Sequence, residues 1–435
     1  MGRLPTPVSG NAKMRRWHYC VCALFLLLAM QAFTFLDLTL YGEPDGRGGD
    51  TMTASFNLLL VVTGLVLFGT GFRRIKSVQT GAILALGLAG LLLCSAVWSV
   101  SPSATLREGT VYLFVIVGAI GIVCSIEPDR FMNLLARLCF FSGAASVLLY
   151  VVSPSIAMTE DGLRGIFIHK NILGSVMAIG VLATLHGLRA RKGRSLSSAF
   201  FTIFMIIVAL LSQSGTSCLT IFVYCGTEAT IALIRKGGFV RLLGITLVCV
   251  ALPLVLYGTV FSDSLLEIMG KDPTLTGRTE IWRFVIPDIF EKPWLGWGYL
   301  AFWVPDNPAA REISDSLLFD VPEAHNAVLE LLLNVGLVGT AIVVLLFVRN
   351  IVLATRCLRT SQKTTATSTL LYSAGVIVVG VTEGVLLNPL EAATSIFFIT
   401  GLFCEQAIWV EGWRRRQAHL QRLHTIPVPS EVCTQ

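Results

Sequence analysis

Four polar stretches of this 435-residue chain carry side chains suited to holding an anion and moving a proton. In LRGIFIHKNILGS, Leu163 to Ser175, the residues Arg164, His169, Lys170 and Asn171 stand at the mouth of an apolar run. SQSGTS covers residues 212–217, TGRTEIW carries Arg278, and PEAHNAVLELLLNVGLVG carries Glu323, His325 and Asn326. Backbone N–H groups at a helix N-terminus attract anions, and a nearby arginine or lysine strengthens the attraction. Histidine is the side chain whose pKa lies nearest neutral pH, which makes His325 the natural proton acceptor. Glu323, two residues away, is placed to orient it or to act instead. Cations for a diphosphate and a base for a hydroxyl suit glycosyl transfer from a diphosphate-linked sugar: the base takes the acceptor's proton while arginines steady the leaving group.

Each residue also has a plainer reading. Arg164 and Lys170 could snorkel to a membrane interface, and His325 could be a satisfied interfacial histidine. Asn171 and Asn326 could cap helices, and Arg278 could pair with an acid in its own loop. What sets them apart is that all four stretches fall on one side of the membrane, and that depends on the elements that carry them.

The chain is 54% apolar and 14% charged, whereas a soluble domain is about a quarter charged. Apolar runs of roughly twenty residues, enough to cross about 30 Å of hydrocarbon, recur from end to end. The predicted class is an all-α polytopic membrane protein of about twelve transmembrane helices. The spans fall near 17–40, 54–72, 79–98, 109–126, 131–152, 171–189, 197–212, 216–234, 240–261, 325–348, 367–388 and 392–411. The first is too long, and too poor in small residues at its end, for a removable signal, so it is expected to stay as an anchor. The alternating pattern of a membrane barrel is absent.

Charge sets the expected orientation. With the N-terminus inside, 24 of the 33 basic residues fall on the inner side, from Arg3 and Arg15 through Arg73, Arg130 and Arg189 to Arg414, Arg415, Arg416 and Arg422. That asymmetry predicts cytoplasmic N- and C-termini. The segments are then a cytoplasmic start over 1–16, nine spans over 17–261, a large outer loop over 262–324, three spans over 325–411 and a cytoplasmic tail over 412–435. The net charge of +6 reads as topological charge beside anionic headgroups, with no nucleic-acid partner. The eleven cysteines sit mostly in or beside spans, which argues against a disulfide framework.

The outer loop holds eleven acidic and five basic residues, together with Trp282, Trp294, Trp297, Tyr299 and Trp303. An amphipathic helix is predicted from about Glu280, ended by Pro293, Gly296 and Gly298. Its tryptophans suit either an aromatic belt at the headgroups or, at Trp282 and Trp297, a stacking platform for sugar rings. Phosphate-binding glycine loops, metal-ligand spacings and nucleotide-sugar motifs are absent, so no metal or cofactor is expected. Asp37, Glu228, Glu330, Glu383 and Glu405 fall inside apolar runs, and such carboxylates often mark ion pathways. A transporter or flippase of lipid-linked oligosaccharide or of a small anion is therefore the alternative, but it would place its polar site nearer the bilayer midplane.

In order and spacing, RGIFIHKNILG, LSQSGTS, TGRTEIW followed by PWLGWG, and EAHNAVLELLLNVGLVG resemble the O-antigen ligase and polymerase superfamily. The HKNxLG form is most similar to its exopolysaccharide-polymerase branch. The resemblance runs from about Leu163 to Gly339, and the first five spans match in hydropathy alone. It implies a metal-independent glycosyltransferase of the inner membrane with a large periplasmic loop. Such an enzyme takes a glycan from undecaprenyl diphosphate and attaches it to lipid A-core or to another lipid-linked repeat, beside other polysaccharide-assembly proteins. On this resemblance His325 corresponds to the essential histidine, Arg278 to the loop arginine and Arg164 to the arginine of the RGxFxHKN motif. One position departs from the pattern: the family commonly has an arginine inside the turn where this chain has Gly215.

Overall fold

The computed structural model describes residues 12–32, 49–160, 162–190, 196–236 and 278–424. The predicted ninth span, the outer loop before Arg278, Asp37 and the two chain ends lie outside the described residues. Among the described residues, thirteen α-helices of ten residues or more carry the fold: α1 (Ala12–Ala29), α2 (Gly49–Gly71), α3 (Gln79–Cys94), α4 (Pro102–Ser125), α5 (Pro128–Val152), α6 (Lys170–Ala190), α7 (Leu196–Leu211), α8 (Gly215–Lys236), α9 (Arg278–Glu291), α10 (Pro308–Leu317), α11 (Ala327–Cys357), α12 (Lys363–Gly380) and α13 (Ala392–His424). Among the described residues the only strands form a two-residue antiparallel ladder, Met158–Thr159 with Gly162–Leu163.

Local chemistry sets the ends. Pro102 and Pro128 open α4 and α5 at the first turn, where proline's missing N–H costs nothing. The Asn326 side chain caps α11 by accepting from the Val328 and Leu329 amides at 3.0 and 3.1 Å. Among the described residues, seven helical segments are long and apolar enough to cross a membrane. Two more, Arg16–Ala29 and Leu196–Leu211, are apolar but shorter. The chain is thus an all-helical, multi-pass membrane protein. α12 falls outside the seven because it opens on a threonine- and serine-rich half.

α2 lies along α4, α6 packs between α5 and α7, and α11 packs on α12 and α13. Small residues allow the close approaches that membrane helices use in place of a hydrophobic driving force. A Cβ on Gly121 of α4 would fall 2.5 Å from the Phe68 nitrogen of α2.

α11 is broken at Gly336, whose φ of 60° and ψ of −166° interrupt the helix. A break inside an apolar helix frees backbone groups that lipid cannot satisfy. Here the PWLGWG segment fills the gap. Trp297 and Gly298 donate to the Leu333 and Asn334 carbonyls at 2.7 and 3.2 Å, while Leu337 and Val338 donate to the Pro293 and Trp294 carbonyls at 2.8 and 3.1 Å. The fit leaves no room for side chains: a Cβ on Gly296 would meet the Leu333 oxygen at 2.5 Å, and one on Gly336 would meet the Leu295 nitrogen at 2.5 Å.

The described part of this loop, residues 278–324, folds onto this junction. α9 matches the predicted amphipathic helix, and α10, which the sequence reading did not anticipate, is capped by Asn307 with Pro308 at its first turn. Ile281, Val285 and Ile289 of α9 pack with Trp297, Phe302, Ile313 and Leu333 in a core of their own. Below it, Tyr299 ties the loop to the bundle: its amide donates to Ser95 Oγ at 3.0 Å, its carbonyl accepts from Thr105 Oγ1 at 3.0 Å, and its hydroxyl donates to the Leu387 carbonyl at 2.5 Å.

The carboxylates in apolar runs are locally matched wherever they are described. Glu228 pairs with Arg189. Glu405 accepts from Arg349 Nη2 at 2.5 Å and from the Thr80 and Gly81 amides at 3.1 and 2.9 Å, so it caps α3 from another helix. Glu330 and Glu383 belong to the site described next.

Candidate active site

His325 sits just before α11 with a φ of 49°, a left-handed conformation that costs a non-glycine residue about 1–3 kcal/mol and persists only where its surroundings impose it. Ala324, the residue before it, is held through both of its backbone groups. Trp282 Nε1 on α9 donates to the Ala324 carbonyl at 2.8 Å, and the Ala324 amide donates to Glu330 Oε1 on α11. Glu330 is itself held by Trp303 Nε1 at 2.8 Å and Asn334 Nδ2 at 2.9 Å. Trp282 and Glu330 therefore aim the histidine.

The ring meets two carboxylates through one nitrogen. His325 Nδ1 lies 2.9 Å from Glu323 Oε1 and 3.4 Å from Glu383 Oε2. The other oxygen of Glu383 accepts from Asn171 Nδ2 at 3.1 Å and pairs with Arg278 Nη2 at 3.5 Å. Thr216 of the SQSGTS turn meets the hydroxyl of Thr382, the neighbour of Glu383, at 2.9 Å. The starts of α6, α8, α9 and α11 thus converge with the turn after α12, and all four polar stretches are represented at one end of the bundle.

The side chains are recessed but reachable, with His325 27% and Glu383 18% exposed. Burial alone would depress the His325 pKa, but the hydrogen bonds and charges of Glu323 and Glu383 outweigh it and raise the pKa to about 9. Burial alone would raise Glu323, but the His325 hydrogen bond and charge hold it below its ordinary value. Both carboxylates address Nδ1, which fixes that nitrogen as a donor. This is the orientation a carboxylate imposes on the base of a hydrolase triad. Glu323, His325 and Glu383 are also close enough to share a metal ion. At Glu383, however, Asn171 and the guanidinium of Arg278 already occupy one oxygen, so the chain supplies its own positive charge there.

Each of the other expected residues has its own local setting. Arg164 is tied through Nε to the Ile156 carbonyl at 2.8 Å. His169 is exposed, and its carbonyl receives the Ile172 amide. Lys170 opens α6 beside Asn171. Asn326 caps α11 and also donates to the Val381 carbonyl at 3.3 Å. Trp297 is 8% exposed; it packs edge-on against Phe302, lies under Lys292 and donates to the Asp288 carbonyl at 3.0 Å. Its ring is part of the loop core, with little face left for a sugar. Trp294 and Phe290 are the exposed aromatics of this segment.

Sequence reasoning missed Glu383 as a member of the site. It was visible as an acid in an apolar run, but no motif surrounds it. The available signal was its place at the end of a span on the leaflet side of His325.

Residues 200–344 match the family described as O-Antigen ligase. Exopolysaccharide production protein ExoQ of Rhizobium meliloti (strain 1021) is 29% identical over 270 residues, covering 58% of this chain and 60% of that protein. The matched family segment contains Arg278, Glu323 and His325. The likeness to the O-antigen ligase and polymerase superfamily therefore extends beyond the motifs, and it leans to the exopolysaccharide side.

Proposed function

With that superfamily as the chain's relatives, we propose that the protein is an exopolysaccharide polymerase. It transfers glycan units from undecaprenyl diphosphate to a second lipid-linked glycan at the periplasmic face of the inner membrane. The observation that carries this reading is His325 held between Glu323 and Glu383 beside Arg278. Nε2 of His325 takes the proton of the acceptor hydroxyl, and the two carboxylates stabilise the imidazolium that forms. Arg278 steadies the departing diphosphate, with Arg164 and Lys170 contributing positive charge from the approach to α6. No metal takes part. Polymerase is preferred to ligase because the similar rhizobial protein is named for exopolysaccharide production. The basic residues at the opposite end of the helices support cytoplasmic termini and, counting the ninth predicted span, about twelve crossings.

The test is complementation of a deletion strain with wild type, His325→Ala or Arg278→Ala, after checking that each variant reaches the membrane. Single lipid-linked repeats accumulating without polymer are expected. Full-length lipid-linked chains left untransferred would instead identify a ligase, and normal glycan from both variants would reject the site.

A further inference from the structure

The end of the bundle away from His325 contains a cavity of about 280 Å³. It lies among the turn joining α2 to α3, the turn joining α4 to α5, the turn joining α11 to α12, and the later part of α13. Its floor is apolar, made by Val123, Ile126 and Phe403, all buried. Its rim carries Arg74 and Arg414, with Trp409 on the wall. Gln406 fixes that wall by donating to the Val123 carbonyl at 3.1 Å and to Ser77 Oγ at 3.4 Å.

Two carboxylates share the rim, and both have arginine partners. Glu127 meets Arg130 at 3.2 Å, and Glu411 meets Arg415 at 3.3 Å. Arg74 and Arg414 thus line the cavity beside two acids that are each paired with an arginine outside its lining. Basic charge above an apolar floor, with a tryptophan at the edge, at the end of membrane-spanning helices, suits an amphiphile rather than a soluble ion. We propose that this cavity binds an anionic phospholipid, with its phosphate at Arg74 and Arg414 and the start of an acyl chain against Val123, Ile126 and Phe403. Inorganic phosphate shares the headgroup chemistry but cannot cover the floor.

The test is thermal unfolding of the purified full-length protein in a neutral detergent with added phosphatidylglycerol, phosphatidylcholine or inorganic phosphate. Phosphatidylglycerol at about ten times its Kd should raise Tm by roughly 2–4 °C, and the other two by less than half of that. The shift should fall at least twofold in Arg414→Gln, an exposed position that the fold does not need, and persist in Arg414→Lys. Arg74→Gln should lose it as well. An equal shift with inorganic phosphate would make this a free-anion site and overturn the lipid assignment. Equal shifts with the two lipids, or a full shift retained in the Arg74→Gln/Arg414→Gln double variant, would overturn it too.

Discussion

Glu383 Oε2 lies 3.4 Å from His325 Nδ1, although 58 residues separate them in the chain. The contact joins the turn after α12 to the approach of α11, and Glu383 passes it on to Arg278 and Asn171. An imidazole and a guanidinium are thereby set in one frame.

This pairing gives activity and stability opposite dependences on pH. His325 titrates at about 9 in the folded protein against about 6.5 when unfolded. Its pairing therefore adds stability that is fully present below pH 6.5 and is lost as pH rises through 9. A base that must be neutral gains population over the same window. Transfer rate at low substrate should rise about tenfold per pH unit up to about pH 8 and level off near 9. Over that range Tm should fall in wild type and stay flatter in His325→Gln. Glu383→Gln should move the rate limb to lower pH. A wild-type rate that declines between pH 7 and 9 would mean the protonated ring is the working form.

Glu330 and Trp282 touch the backbone of Ala324, the residue before His325, not the substrate, and act as positioning residues. Trp282→Phe keeps the ring and removes one hydrogen bond, worth about 0.5–1.5 kcal/mol. Glu330→Gln leaves one acceptor for three donors. Both should lower kcat about tenfold or more with KM changed less than twofold, while the rate limb near pH 9 broadens or shifts. A change in KM alone would place these residues in substrate binding instead.

At the break in α11, Gly336→Ala adds a Cβ where the Trp294–Leu295 peptide already lies, at a φ that alanine disfavours. The expected loss is about 3 kcal/mol, read as a drop in Tm and in membrane-inserted yield. Gly87, with open space around it, is the control. Gly87→Ala should match or slightly exceed wild type, because alanine is the better helix former.

Gly215 opens α8, and a Cβ there meets nothing within 4 Å. Gly215→Arg should therefore fold with Tm within about 2 °C of wild type, consistent with the small effect of most surface substitutions. It adds a cation one residue from Thr216, whose hydroxyl meets the neighbour of Glu383. Donor affinity should increase severalfold, measured as a lower KM for lipid-linked donor. An unchanged KM would show that position 215 does not face the diphosphate.

Much of this was legible in the sequence, for physical reasons that differ by element. The spans announced themselves because lipid demands about twenty apolar residues whatever surrounds them. α9 followed from its amphipathic pattern and the Pro293 stop. The break at Gly336 did not, since one glycine in a long apolar run looks like any packing glycine until PWLGWG is docked against it. α10 was hidden because a ten-residue helix in a polar loop gives a short signal. His325, Arg278, Glu323 and Asn171 were readable from residue type and shared leaflet. Glu383 was not, because its partners lie 58 and more positions away. The place of Trp297 in the loop core was not legible, because exposed and buried aromatics look alike in sequence.

In the proposed function His325 is the proton acceptor of a glycosyl transfer supported by Arg278 and the two glutamates. The most direct test is transfer in purified, reconstituted protein supplied with undecaprenyl-diphosphate-linked oligosaccharide. Wild type would be compared with His325→Ala, with donor binding measured in parallel. The expected result is a rate loss of about 10²–10⁴-fold, donor affinity within about threefold of wild type, and no dependence on added divalent metal. A His325→Ala rate within about threefold of wild type, with the variant folded and binding donor, would contradict it.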